Sequence, residues 1–220
     1  MKQDNTDKFR NAVSSFERGE PLLVYDADDR EGEVDLIYPA GEVQLEDIVR
    51  MRNDAGGLIC VAVSDTVATS LELPFLHDEL DHPAAIGNEM LEYDDRSAAS
   101  LTVNHSDTVT GIVDEDRLTT IQALSTVAAD PNLSSFAEQF RTPGHVHLLR
   151  AAPDLLLDRR GHTECAVALA VAADLPPAAV VCEMLDDESG GALSPEAAKT
   201  YAEREGIVYV EIEDIADGLT

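Results

Sequence analysis

The chain has 220 residues, 44% of them apolar: enough for one domain with a substantial core, and too apolar for disorder. Fifteen Lys and Arg stand against 44 Asp and Glu, and the formal charge of -29 argues against nucleic acid or an anionic membrane as a partner.

Helices and strands alternate along the chain. Phe9, Ala12, Val13 and Phe16 recur at helical spacing and Gly19 closes that helix. Two buried strands, "PLLVYD" and "VDLIYPA", flank the acidic segment "DADDREGEVD". "QLEDIVRMRND" reads as a helix and "GGLICVAVS" as a strand. Residues 72–98 are irregular, rich in Pro, Asp, Gly and Asn, and long enough for a functional loop. "SLTVNHS" is a strand, and "DRLTTIQALSTVAAD" a helix with Asp116 as its N-cap and Pro131 as its stop. A short helix, "SSFAEQF", precedes the strand "HVHLLRAA". "TECAVALAVAADL" is a helix so apolar that it should be buried on more than one side. "AAVVCEML" is a buried strand. Ser194, Pro195 and Gly206 bound a further helix before a last strand, "IVYVEIE". The order predicts an α/β domain with a mixed sheet covered by helices, and it contains neither a GxGxxG turn nor a P-loop.

The acids are spread along the chain and lysine is confined to Lys2, Lys8 and Lys199. With a normal apolar fraction, this predicts a surface adapted to high salt, where screening suppresses self-repulsion. The three cysteines, Cys60, Cys165 and Cys182, have apolar neighbours and no paired spacing, as expected of small buried hydrophobes in a reducing cytoplasm. No segment resembles a signal peptide or a membrane span.

Where acids are everywhere, the scarce bases say more. Residues 141–162 hold Arg141, Arg150, Arg159 and Arg160 with His145, His147 and His162, the best candidate for a local positive patch that could take an anion such as a phosphate ester. His145 follows a Pro-Gly turn at a strand entry. His162 and Thr163 follow Gly161 at the start of the apolar helix, where free backbone N–H groups suit an anion. Glu164 there reads as ordinary capping. Glu183 ends an apolar strand, so it must be partnered, protonated or open to solvent at the strand end. Glu31, Glu33 and Asp35 alternate, and in extended chain they would share a face. Three carboxylates together repel unless a cation or basic groups compensate, and an all-carboxylate set suits a hard cation such as Mg²⁺ or Mn²⁺. Asp26, Asp28 and Asp29 read as solvated loop charge.

Taken together, "DDREGEVDLIYPA", "TGI" with "DRLTTI", "RTPGHVHLLRA", "RRGHTECAVALA" and "LPPAAVVCEML" resemble the 3,4-dihydroxy-2-butanone 4-phosphate synthase family of riboflavin biosynthesis, in the same order and over residues 9–214. The resemblance implies a single three-layer α/β domain over residues 1–220 without a GTP cyclohydrolase II half. It implies a lyase that turns ribulose 5-phosphate into 3,4-dihydroxy-2-butanone 4-phosphate and formate, with Mg²⁺ or Mn²⁺ and no organic cofactor. It also implies a homodimer with active sites near the interface. Carried over by position, Glu31 and His162 are the metal ligands, and His145, Glu183 and Asp35 the catalytic groups. Arg30, Glu31, Asp35, Thr110, Arg159, Arg160, Gly161, His162, Thr163 and Glu183 are the substrate contacts. Gly32, Glu33 and Val34, the extra Thr142 and Arg160 depart from the family pattern. A metal-assisted sugar-phosphate isomerase and a non-catalytic module that kept the fold are the alternatives.

Overall fold

The computed structural model describes residues 2–28, 30–82 and 97–219. Asp29 and residues 83–96, most of the expected irregular stretch, lie outside the described residues. Seven strands form one mixed sheet: β1 Leu22–Tyr25, β2 Val34–Pro39, β3 Cys60–Val63, β4 Ala99–His105, β5 Phe140–Arg150, β6 Ala178–Glu183 and β7 Val208–Glu211, in the order β4-β5-β3-β6-β2-β1-β7. β1 runs parallel to β7, and β3 to β5; the other pairings are antiparallel.

Both faces of the sheet are covered, so its central strands are mostly apolar: all six residues of β2 are buried, Asp35 among them. Leu36, Tyr38, Val180 and Cys182 point to one side, where they pack on α2 (Leu45–Asn53), α5 (Asp114–Ala129) and α8 (Pro195–Glu205). Ile37, Ala179, Val181 and Cys60 point to the other, against α1 (Lys2–Glu17), α7 (His162–Ala172) and α9 (Ile212–Gly218). Three layers result, as the alternation predicted. Every residue of α7 from His162 to Ala170 is buried, which explains its lack of a polar face. Among the described residues, no helix is long and apolar enough to cross a membrane.

Several local expectations change. Asp116 does not cap α5: the helix begins at Asp114 with Val113 at the cap position. The Asp116 carboxylate folds back instead and accepts the N–H groups of Thr110 at 2.9 Å and Gly111 at 2.7 Å, which shapes the turn ahead of the helix. The last strand stops at Glu211, because Glu211 and Asp214 form a reciprocal cap that starts α9. Asp214 also holds Lys8 of α1 at 3.0 Å. The short helices α3 (Asp65–Ser70), α4 (Leu76–Glu79) and α9 lack a long apolar period, and sequence periodicity does not predict them. α6 (Leu133–Gln139) starts at Asn132, whose side chain accepts from Ser135 N–H.

Candidate active site

β2 and β6 are antiparallel neighbours with Asp35 directly opposite Glu183. By the alternation that sends Ile37 and Val181 toward α7, Asp35 and Glu183 face α7 as well. The first residue of that helix is His162. The sheet therefore presents two side-by-side carboxylates to a helix N-terminus. Around them lies a cavity of about 150 Å³ lined by Glu31, Asp35, Ser97, Ala98, Leu149, Arg159, His162, Thr163, Val181 and Glu183. A larger cleft of about 460 Å³ opens between α2 and α8, on the other face of the sheet, and no histidine lines it. The smaller cavity is the one that gathers the expected titratable groups.

His162 is buried. Its Nε2 lies 3.1 Å from the carbonyl oxygen of Val24, the geometry of an N–H donated to the backbone. Nδ1 then faces the site, 3.8 Å from both Glu31 Oε2 and Asp35 Oδ2. Burial opposes a charge on this ring, but Asp35, Glu31 and Asp26 outweigh it and raise the imidazole's proton affinity. Interaction with His162, reinforced by Arg159 and Arg30, holds Glu31 below the usual carboxylate range. Burial pushes the Asp35 carboxyl up, with Glu183, Glu31 and Glu33 adding repulsion. Burial also raises Glu33, again with Glu31 and Glu183.

Ligand atoms of Asp26, Glu31 and His162 lie within 4.8 Å of one another, close enough to share one metal ion. Asp26 is a correction: expected as solvated charge, it is buried, with a side chain 1% exposed. Both its oxygens are engaged, one by Glu31 N–H and the other by Glu33 N–H, each at 3.0 Å. It thus organises the acidic loop, which leaves Glu31 and His162 as the better donors for a hard cation. Asp35 Oδ1 is buried without a hydrogen-bond partner among the described residues, an acceptor that a proton or a cation would satisfy. The donor set fits a divalent cation with open positions. Glu31 lies in a turn ahead of β2, so strand alternation does not put it beside Asp35; the Asp26 hydrogen bonds do. Asp28 is exposed, as expected, and accepts a hydrogen bond from the Tyr25 hydroxyl.

The other expected residues divide. Arg159, Gly161, His162 and Thr163 lie at the start of α7, with Arg159 and Thr163 in the cavity wall. Arg30 pairs loosely with Asp26 at 3.9 Å. Arg160 is exposed and not among the lining residues. Thr110 and His145 also fall outside this cavity and form a second, exposed cluster with Asn104. Asn104 Oδ1 accepts the His145 N–H at 2.8 Å, its side chain reaches His145 Nδ1 at 3.2 Å, and its Nδ2 lies 3.5 Å from Thr110 O. A Cβ on Gly144 would come within 2.0 Å of the Val103 backbone, so only glycine lets β5 lie this close to its neighbour β4 just before His145. His145 is four residues from the cavity-lining Leu149, roughly 13 Å along an extended strand. Sequence reasoning missed Asp26, Asn104 and the fully buried Glu164.

The family model described as 3,4-dihydroxy-2-butanone 4-phosphate synthase matches residues 10–217. The chain is 44% identical over 218 residues to the 3,4-dihydroxy-2-butanone 4-phosphate synthase of Archaeoglobus fulgidus, an overlap of 92% of this chain and 90% of that protein. It is 43% identical over 225 residues to the protein of the same name from Methanosarcina mazei, covering 97% and 91%. Among solved structures, the Candida albicans 3,4-dihydroxy-2-butanone 4-phosphate synthase superposes with a TM-score of 0.79 at 32% identity, over 96% of each chain. A synthase of this name in complex with two magnesium ions superposes equally well, with a TM-score of 0.79 at 32% identity over 94% of this chain and 93% of that one.

Proposed function

The chain belongs to the 3,4-dihydroxy-2-butanone 4-phosphate synthase family, and from that premise we propose that it is a divalent-cation-dependent lyase converting D-ribulose 5-phosphate to 3,4-dihydroxy-2-butanone 4-phosphate and formate. The observation that carries the reading is the convergence of the Asp35–Glu183 pair, the Glu31–His162 pair and Arg159 on one cavity. Product plus formic acid has the composition of the substrate, so the reaction needs no oxidant or organic cofactor.

Glu31 and His162 hold the cation, Mg²⁺ or Mn²⁺, which when bound would polarise the substrate's carbonyl and hydroxyl oxygens and stabilise an enediol. Val24 fixes the His162 ring so that Nδ1 is the ligand atom. Arg159 and Thr163, at the positive end of α7, take the phosphate. Asp35, whose burial favours its protonated form, exchanges protons with the substrate carbon skeleton beside Glu183. Leu149, Val181 and Ala98 supply the apolar part of the cavity wall, which would limit water on that side of the enediol. His145 lies too far along β5 to reach its own chain's cavity, and Thr110, in the turn ahead of α5, sits with it through Asn104. This supports a homodimer in which one copy's Thr110–His145 cluster completes the site of the other. Cytoplasmic residence belongs to the same proposal and is supported by three buried cysteines without a disulfide among the described residues.

The test is to incubate the purified protein with ribulose 5-phosphate and Mg²⁺ in concentrated KCl. Formate and the four-carbon product should accumulate, and EDTA should stop both. Consumption of substrate without formate would instead identify an isomerase, and no turnover at any salt a non-catalytic module.

Adaptation to high salt is also proposed, supported by the charge of -29 dispersed over the chain. Tm is expected to climb by several degrees between dilute buffer and about 2 M KCl, because screening at that strength acts within a few ångströms and relieves surface repulsion. A flat or falling Tm would reduce this to an ordinary acidic protein.

A further inference from the structure

We propose that Glu164 is a positioning residue whose carboxylate, passing beside Gly161, locks the Arg159 guanidinium in the orientation that receives the substrate phosphate; the phosphate assignment rests on the function proposed above. Glu164 lies in the first turn of α7 yet caps nothing in its own helix. It is 0% exposed. One oxygen accepts the Ala152 N–H at 2.9 Å, and the other accepts Arg159 Nη1 at 2.7 Å. A buried ion pair of this kind contributes little net stability compared with an apolar pair of the same volume. Its geometry is what an apolar pair could not supply: a planar guanidinium held in one direction.

Gly161 gives an independent sign of the same arrangement. It is the residue just before α7, with φ -110° and ψ 166°, a conformation open to any residue. The backbone does not require glycine there. Space does: a Cβ at 161 would lie 2.2 Å from Arg159 Nη1 and 2.9 Å from Glu164 Oε2. The guanidinium crosses directly over this residue to reach Glu164. Arg159, Gly161 and Glu164 therefore form a clasp around His162 and Thr163, and Ala152 ties the clasp to the end of β5. The entropy of ordering a long side chain is lost on folding and not on binding substrate.

The clasp predicts a specific kinetic split. E164Q keeps the volume and an acceptor for the Ala152 N–H, but turns an NH2 group toward Arg159. KM for ribulose 5-phosphate should rise about 10- to 100-fold with kcat within about threefold, the loss expected when a charge pair holding a binding group is broken. Stoichiometric Mn²⁺ binding should persist. G161A, which displaces the guanidinium without burying a polar group, should show the same split and decides the matter if E164Q fails to fold. On an R159A background E164Q should add no further rise in KM, because the two act as one unit. An equal rise on both backgrounds, or an unchanged KM in the folded variants, overturns the clasp while leaving the enzyme's function intact. A wild-type protein that makes no formate overturns both.

Discussion

Asp35→Asn is expected to lower kcat by roughly 10²- to 10⁴-fold, the usual contribution of a positioned proton-transfer group, while Mn²⁺ still binds. Glu31→Ala is expected to do the opposite first: it should remove tight Mn²⁺ binding, and turnover with it. The two carboxylates face the same imidazole nitrogen at the same distance, 3.8 Å, so distance does not tell them apart. Their environments do. Asp35 sits in the sheet, buried, with one oxygen lacking any partner, and burial raises its proton affinity. A carboxyl poised in this way can give and take a proton near neutral pH. Glu31 lies in a turn, partly exposed, and is held ionised beside His162 and Arg159. A carboxylate held charged in the cavity wall suits a ligand better than a shuttle. Asparagine matches the shape of Asp35, so the packing between β2 and α7 should survive and Tm should change little. The measurements are steady-state formate release and Mn²⁺ titration by electron paramagnetic resonance. A kcat within threefold of wild type for Asp35→Asn would remove Asp35 from proton transfer.

The layers of the fold were legible because each long element carries its period. The unbroken apolar run of α7 announced a helix buried all round, and the apolar β2 and β6 a sheet covered on both faces. Register was not legible. Nothing in the sequence says that Asp35 lies opposite Glu183, since pairing between strands about 150 residues apart is settled by the packing of the whole sheet. Asp26 shows a second limit. In a chain with 44 acids, one that follows the apolar run "LLVY" reads as surface charge. Its burial depends on two backbone N–H groups, those of Glu31 and Glu33, that only the folded loop brings to it. Glu164 shows a third. An acid in the first turn of a helix is usually a cap, and the partners that make this one different are a backbone amide and a guanidinium contributed by the preceding turns. His162 was the easier case, because histidine is scarce here and the start of a buried helix has few uses for it.

Two inactive variants should restore each other if the proposed dimer shares its sites. Mix Asp35→Asn with His145→Ala, unfold or dissociate, and let the chains reassociate at random. Half of the dimers carry one chain of each kind. In such a dimer, the cavity of the His145→Ala chain keeps its own Asp35 and receives an intact His145 from its neighbour, whereas the other cavity lacks both. About a quarter of wild-type activity should therefore return, from a mixture of components each nearly dead. The prediction rests on geometry within one chain: His145 is exposed, held by Asn104 where the β4–β5 pairing shifts register, and roughly 13 Å along the strand from the cavity wall. A side chain of that reach cannot cover such a span in its own subunit. Were His145 to serve its own cavity after a loop movement, the mixed dimer would hold no complete site, and mixing would return nothing above the two variants alone.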